Sequence, residues 1–249
     1  MLSFGLTMDF GRSKKKVVPR GITAAAIGRL RLRWGRTDAH TQLSHLDNIR
    51  AIESAVKRSG IPASHTQGVH PRLKLSFSPP LPFGFTSEAE FVDITLDQPA
   101  TSEMINKIRQ AFTDGLNLLE AKTVFSRTAS LSERINRVEY TLQLDDEKEI
   151  AELKGKLTKI LAKEIIVMSR KTKSGESEVD IRPAIYDLKV EDKKLRMTLG
   201  VGEAGYARPT EVAQLIFDID EEMAGVFKFH RARMYRLNED GREIPAIEL

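Results

Sequence analysis

Apolar positions recur along the chain with a period of two in some stretches and of three to four in others, and the alternation of the two periods predicts a mixed fold. Residues 29–34 place Leu30, Leu32 and Trp34 on one face and Arg29, Arg31 and Arg33 on the other, as a half-buried strand requires. Ser44 then opens a helix, with Asp47 three residues on as an acidic form of the capping box. Leu46, Ile49, Ile52 and Val56 form its inner stripe, and Gly60 followed by Ile61 and Pro62 ends it. Residues 72–77 alternate again, with Leu73, Leu75 and Phe77 inward. A proline-rich connector, residues 78–87, leads to a third strand at 90–96, a helix at 101–112 and a fourth strand at 116–125.

Strand, helix, strand, strand, helix, strand is the split motif of ferredoxin-like domains. A second copy of the order follows a polar link. Residues 138–144 alternate as a strand, 150–161 carry a helical stripe and 165–168 are strand-like. Residues 185–190 and 195–201 flank a turn as a hairpin, 209–217 make a short helix and 226–237 a last basic strand. The expected fold is therefore α+β, a tandem of ferredoxin-like domains, each an antiparallel sheet with helices on one face. The expected boundaries are a flexible basic tail at 1–28, a first domain at 29–125, a linker at 126–136 and a second domain at 137–249.

In such a topology the first and third strands are neighbours, so Phe91, Asp93 and Thr95 join Arg29, Arg31, Arg33, Arg72 and Lys74 on one outward surface. An open basic face with an aromatic residue is suited to unpaired RNA, whose bases stack on aromatic rings while cations meet the phosphates. The competing reading pairs those arginines with a carboxylate such as Asp93, or covers them with the neighbouring domain.

Composition sharpens this only in part. The 249 residues include 39 basic and 35 acidic side chains, a net charge of +4, so an electrostatic partner must be met by a local patch. The content of 41% hydrophobic and 30% charged residues suits a soluble protein, and no apolar run approaches a membrane span; a cytoplasmic location is expected. There is no cysteine, so neither a disulfide nor a thiolate-held cluster is available to this chain. Four of the five histidines, His40, His45, His65 and His70, lie close in sequence. A helix of about 24 Å separates His45 from the start of the 65–71 loop, and only a loop folding back could unite them, so no metal site and no cofactor is expected. His45 and Asp47 sit in a first helical turn, where free backbone N–H groups favour anions.

Two further motifs invite enzymatic readings. Residues 35–40, Gly-Arg-Thr-Asp-Ala-His, resemble the catalytic loop of one class of tRNA pseudouridine synthases, in which the aspartate is the nucleophile. Asp38, or the His45 and Asp47 pair, would then be the catalytic group of an RNA-modifying enzyme, but the match is short and departs after Ala39. Residues 200–205 match G-x-G-x-x-G in spacing only, since Pro209 interrupts the approach to a helix; a flexible turn is expected there.

A broader resemblance rests on Ser44-His45-Leu46-Asp47, Gln67-Gly68, Pro71, Leu75-Ser76-Phe77, Leu81-Pro82, Gly84 and Ser87-Glu88-Ala89-Glu90, with Val179-Asp180-Ile181-Arg182-Pro183 and Ala207-Arg208-Pro209 in the second half. By these motifs the chain resembles the radical SAM-linked protein family, a bacterial domain of unknown function found beside, or fused to, corrinoid-type radical SAM enzymes. Where relatives have G-F-N-P, this chain has Gly68-Val69-His70-Pro71. The resemblance implies a radical SAM enzyme as partner and an RNA-related, non-enzymatic accessory role. Arg182 and Arg208 become candidate phosphate contacts, because guanidinium matches phosphate bidentately.

Overall fold

The computed structural model describes residues 28–112, 116–124, 129–172 and 175–249. The tail at 1–27 lies outside them. In the first half, β1 (Gly28–Arg36), α1 (His45–Ser59), β2 (Leu75–Phe77), β3 (Thr86–Leu96), α2 (Ser102–Ala111) and β4 (Leu116–Val124) follow in the expected order. The second half runs α3 (Leu131–Arg134), β5 (Arg137–Gln143), α4 (Glu147–Leu161), β6 (Val167–Thr172), β7 (Gly175–Asp180), β8 (Ile185–Glu191) and β9 (Lys194–Gly200). It closes with α5 (Pro209–Phe217), α6 (Glu221–Val226), β10 (His230–Leu237) and β11 (Glu243–Pro245).

The architecture is mixed α+β around one large, mostly antiparallel sheet. Its strand order is β4-β1-β3-β10-β5-β9-β8, with β2 also on β3 and β11 on β10. Among the described residues the one parallel junction is short: Thr86 and Ser87 of β3 face His230 and Arg231 of β10, and it joins the strands of both halves into a single sheet. The strand-like stretch at 165–168 does not enter that sheet. It contributes to β6, which among the described residues pairs with β7 alone, in a separate two-stranded sheet. Ile165 and Val167 are accordingly exposed. The last strand, expected from Val226, begins at His230, and residues 221–226 are helical, because Asp220 caps the Met223 N–H at 2.8 Å and starts a turn.

Two cores hold the sheet. Leu30, Leu32 and Trp34 pack with Val92, Ile94 and Leu96 against Ile52 and Val56 of α1 and Met104 and Ile108 of α2. Leu46, expected on the inner stripe of α1, is instead 61% exposed and lies in the first turn of the helix. The second core gathers the inward residues of β5, β8 and β9 with α4 and α5, and it also takes Leu81, Phe85, Ala89 and Phe91 from the first half. The expected linker at 126–136 contributes Leu131 and Ile135 to the same core.

Candidate functional site

The face of β1 that carries the arginines is not open. Arg31 is fully buried, and its cross-strand partner Asp93 takes two of its N–H groups, from Nε at 2.7 Å and Nη2 at 2.9 Å. Its Nη1 donates to the Ala246 carbonyl at 2.7 Å and to the Leu249 carbonyl. Residues 246–249 thus lie over this part of the sheet, with Ala246, Ile247 and Leu249 buried. Arg29 lies 3.6 Å from the same Asp93 carboxylate, and Arg33 lies 3.4 Å from Glu120, its partner in β4. Phe91, expected as a stacking platform, is 3% exposed within the second core. The expected aromatic basic face is corrected on these grounds: cross-strand acids and the 246–249 segment neutralise and cover it.

Arg182 and Arg208 are also engaged. Arg182 donates to the carbonyls of Leu161 (2.6 Å), Lys163 (2.9 Å) and Ile185 (2.7 Å), which satisfies the end of α4. Arg208 stands before α5, its backbone N–H on Glu211 Oε2 at 2.9 Å and its half-exposed side chain 3.9 Å from Glu211. Glu211 is buried and receives two bonds from Arg170, at 2.6 and 2.8 Å. That carboxylate raises the Arg170 pKa against the opposing effect of burial.

Asp38 is exposed in a single 3-10 turn, Asp38–His40. Asp47 serves as a helix cap: its carboxylate accepts from the Ser44 N–H (3.2 Å) and Oγ (2.7 Å), while Ser44 Oγ accepts from the Asp47 N–H (3.2 Å). Those bonds, helped by Arg50, hold its pKa below the ordinary value. His45 is exposed beside Phe77, ring edge to ring face with centroids 6.4 Å apart. Among the described residues no group of three His, Asp or Glu side chains stands ready to hold a metal ion.

Around α1, by contrast, the motif segments converge. Residues 71–73 fold back along the helix, so that Pro71, Arg72 and Leu73 face Leu46, Ile49, Arg50, Glu53 and Lys57 across a groove of about 410 Å3. Arg72 and Lys74 are exposed, as are Arg50 and Lys57. On the other side of Ile49 lies a small pocket bounded by Trp34, His45, Asn48, Phe77, Leu81 and Glu90 among others. It has about 10 Å3 of room. Of its lining residues, Trp34 and Asn48 are 4% and 6% exposed.

Two buried arginines that sequence reasoning missed hold the pocket's outer wall, the connector at 78–85. Prolines supply carbonyls but no N–H, so the connector needs external donors. Arg36 gives Nη2 to Pro82 O at 2.7 Å, Nε to Phe85 O at 2.8 Å and Nη1 to Leu43 O at 3.3 Å. Arg231 donates to Pro79 O, Pro80 O, Glu90 and the Tyr140 hydroxyl, each at 2.9 Å. Burial lowers the Arg36 pKa. Burial also opposes the Arg231 charge, but Glu90 and Tyr140 outweigh it and the pKa ends above its ordinary value. The sequence signal was available: two arginines in otherwise inward-reading strands and a run of carbonyls lacking donors.

A family model matches residues 29–209, well over half of the chain. The chain belongs to that family, described as an uncharacterized protein conserved in bacteria (DUF2344). The match spans the first half and all of the second as far as the start of α5, so it takes in the pocket, the groove and the connector. No curated protein matches. Among solved structures, an unknown protein from Galdieria sulphuraria is 13% identical, with 82% of this chain and 96% of that chain covered and a TM-score of 0.23. The first two RRM domains of yeast poly(U) binding protein (Pub1) are 7% identical, with 82% and 98% covered and a TM-score of 0.21. Superpositions this distant assign neither fold nor function.

Proposed function

We propose that this protein is a non-enzymatic accessory of a radical SAM enzyme that binds single-stranded RNA, or presents it as substrate, through the groove between α1 and residues 71–73. The observation that carries the reading is that groove, where the motif residues Leu46 and Pro71 stand with Arg50, Lys57 and Arg72 against the single carboxylate Glu53, Arg50 also lying 3.4 Å from Asp47, and Lys74 follows Leu73 in sequence. Cations spaced along an open groove follow a phosphate backbone, whereas the sheet face of Arg29, Arg31 and Arg33 is occupied by its own carboxylates. Leu46, Val69 and Phe83, 61%, 91% and 63% exposed, stand on the motif segments and supply apolar area for a protein partner. At the level of architecture, we read the strand orders β4-β1-β3-β2 and β10-β5-β9-β8 as two ferredoxin-like units fused edge to edge.

The test is binding of a single-stranded oligoribonucleotide in rising salt. Affinity is expected to fall linearly on a log–log plot, and Arg72→Glu with Lys57→Glu to weaken binding and flatten the slope. No RNA binding at low salt, or a double variant that binds as well as the parent, refutes the RNA reading. Failure of an iron–sulfur enzyme to copurify with the tagged chain from its own host refutes the partner.

A further inference from the structure

Residues 245–247 do not seal the sheet completely. Between them and the strands lies a hollow of about 150 Å3, open to solvent where the side chains of Arg33, Glu120 and Arg233 stand partly exposed. The rest of its lining is apolar, with Ala89, Phe91 and Met234 among it. Arg33 stands opposite Phe91 of β3 and opposite Glu120 of β4, so the three side chains share one face. That face is turned away from α1 and α2, against which Leu32 and Trp34 pack. The hollow is therefore across the sheet from the groove beside α1.

The polar groups at its mouth differ in how far they are engaged. Arg233 is held by Glu243 at 2.8 Å and lies 3.7 Å from Glu139. Arg33 and Glu120, 3.4 Å apart, have no other side-chain ion pair or hydrogen bond among the described residues. Such a loose, exposed pair is weak and yields to a ligand that serves both members. A phosphate or carboxylate would satisfy Arg33 and be repelled by Glu120, and a cation would do the reverse. A neutral ligand must offer two acceptors to the guanidinium fork and, beside them, two donors to the carboxylate. Around the rim of guanine, N7 and O6 accept while N1–H and N2–H donate, in that order, so all four are met. Cytosine meets three. Adenine and uracil alternate acceptors with donors and meet fewer. A hollow of this volume takes one six-membered ring, and because it is open the remainder of a purine and its sugar can extend into solvent.

We propose that this hollow binds a guanine base, with Arg33 donating to N7 and O6, Glu120 accepting from N1–H and N2–H, and the ring against the apolar lining. The proposal stands apart from the RNA reading, since the base can come from a free guanine nucleotide or from a guanosine within an RNA strand.

Isothermal titration calorimetry of the full chain with the 5′-monophosphates of guanosine, cytidine, adenosine and uridine tests it. The guanosine nucleotide is expected to bind roughly tenfold more tightly than the cytidine one, the scale of one hydrogen bond, and more tightly again than the other two. Glu120→Gln, which sets an amide N–H2 against the guanine donors, and Arg33→Met are each expected to weaken its binding roughly tenfold and to bring the four nucleotides together. Both side chains are partly exposed, and thermal unfolding of each variant separates misfolding from altered recognition. Equal affinity of the parent protein for the four nucleotides, which reports the phosphate alone, overturns the assignment. So do the absence of guanosine nucleotide binding and a preference that survives Glu120→Gln in a folded protein. An oligouridine with one central guanosine, compared with plain oligouridine, then separates the two sources. A gain in affinity that Glu120→Gln removes upholds the base within RNA, and no gain beside a preserved nucleotide preference upholds the free nucleotide.

Discussion

Replacing Arg31 by methionine tests whether the charged face of β1 is an internal joint or a surface. The substitution keeps much of the aliphatic volume and removes the guanidinium. Asp93, whose side chain is 1% exposed, loses two charge-assisted hydrogen bonds, and the Ala246 and Leu249 carbonyls lose their shared donor. Breaking one partner out of a buried ion pair costs about 3–5 kcal/mol. Arg29 remains 3.6 Å from the Asp93 carboxylate with its own side chain 17% exposed, so Asp93 is not left bare and the loss falls at the low end, about 3 kcal/mol. Against a typical domain stability of about 5–15 kcal/mol, that is a large fraction.

The assay is equilibrium urea denaturation of the parent, Arg31→Met, Asp93→Leu and the double variant. The double variant is expected to recover about 2 kcal/mol relative to the sum of the singles, because no unpaired charge is then buried. Amide exchange of residues 246–249 is expected to accelerate in Arg31→Met, since that segment loses its anchor. A loss below about 1 kcal/mol, the range of exposed pairs, refutes the internal-joint argument, as does simple additivity of the two changes.

Other expectations follow from the same geometry. Arg36→Met leaves the carbonyls of Pro82 and Phe85 without their donor, and a loss of about 2–3 kcal/mol with faster proteolysis at 78–85 is expected; unchanged proteolysis there contradicts the clasp. Asp47 has a folded-state pKa below its ordinary value of 3.8, so its capping contribution is complete above that value and disappears as pH falls through the lower, folded-state value. Carboxyl NMR is expected to give a midpoint below 3.8 that rises in Ser44→Ala, and a midpoint at or above 3.8 in the parent protein contradicts the capping box.

Much of the local structure was legible because period and caps are local properties. The alternation at 29–34 marks β1, Ser44 with Asp47 marks the start of α1, and Gly60, in the left-handed region at φ 63°, marks its end. The adjacency of β1 and β3 was legible too, and the structure adds the register that sets Arg31 against Asp93 and Arg33 against Phe91. The exposure of those residues was not legible. A period of two states that two faces differ in polarity, but an arginine solvated on a free face and one neutralised by a cross-strand aspartate are written with the same letters. Residues 165–168 illustrate a second limit, since a short apolar run carries strand propensity without stating which strand it pairs with.

The amino-acid order by itself determined the six elements of the first half in their succession, the main strands and helices of the second, and the segments that carry the family motifs, because these depend on contacts within a few residues, while α3, β7, α6 and β11 were not legible in it. Only the tertiary structure decided that residues 246–249 cover the basic face, that 71–73 return along α1, and that Arg36 and Arg231 hold the connector at 78–85. Each of those facts joins residues far apart in the chain. Burial and hydrogen-bond satisfaction are properties of that joint arrangement, and no local pattern encodes them.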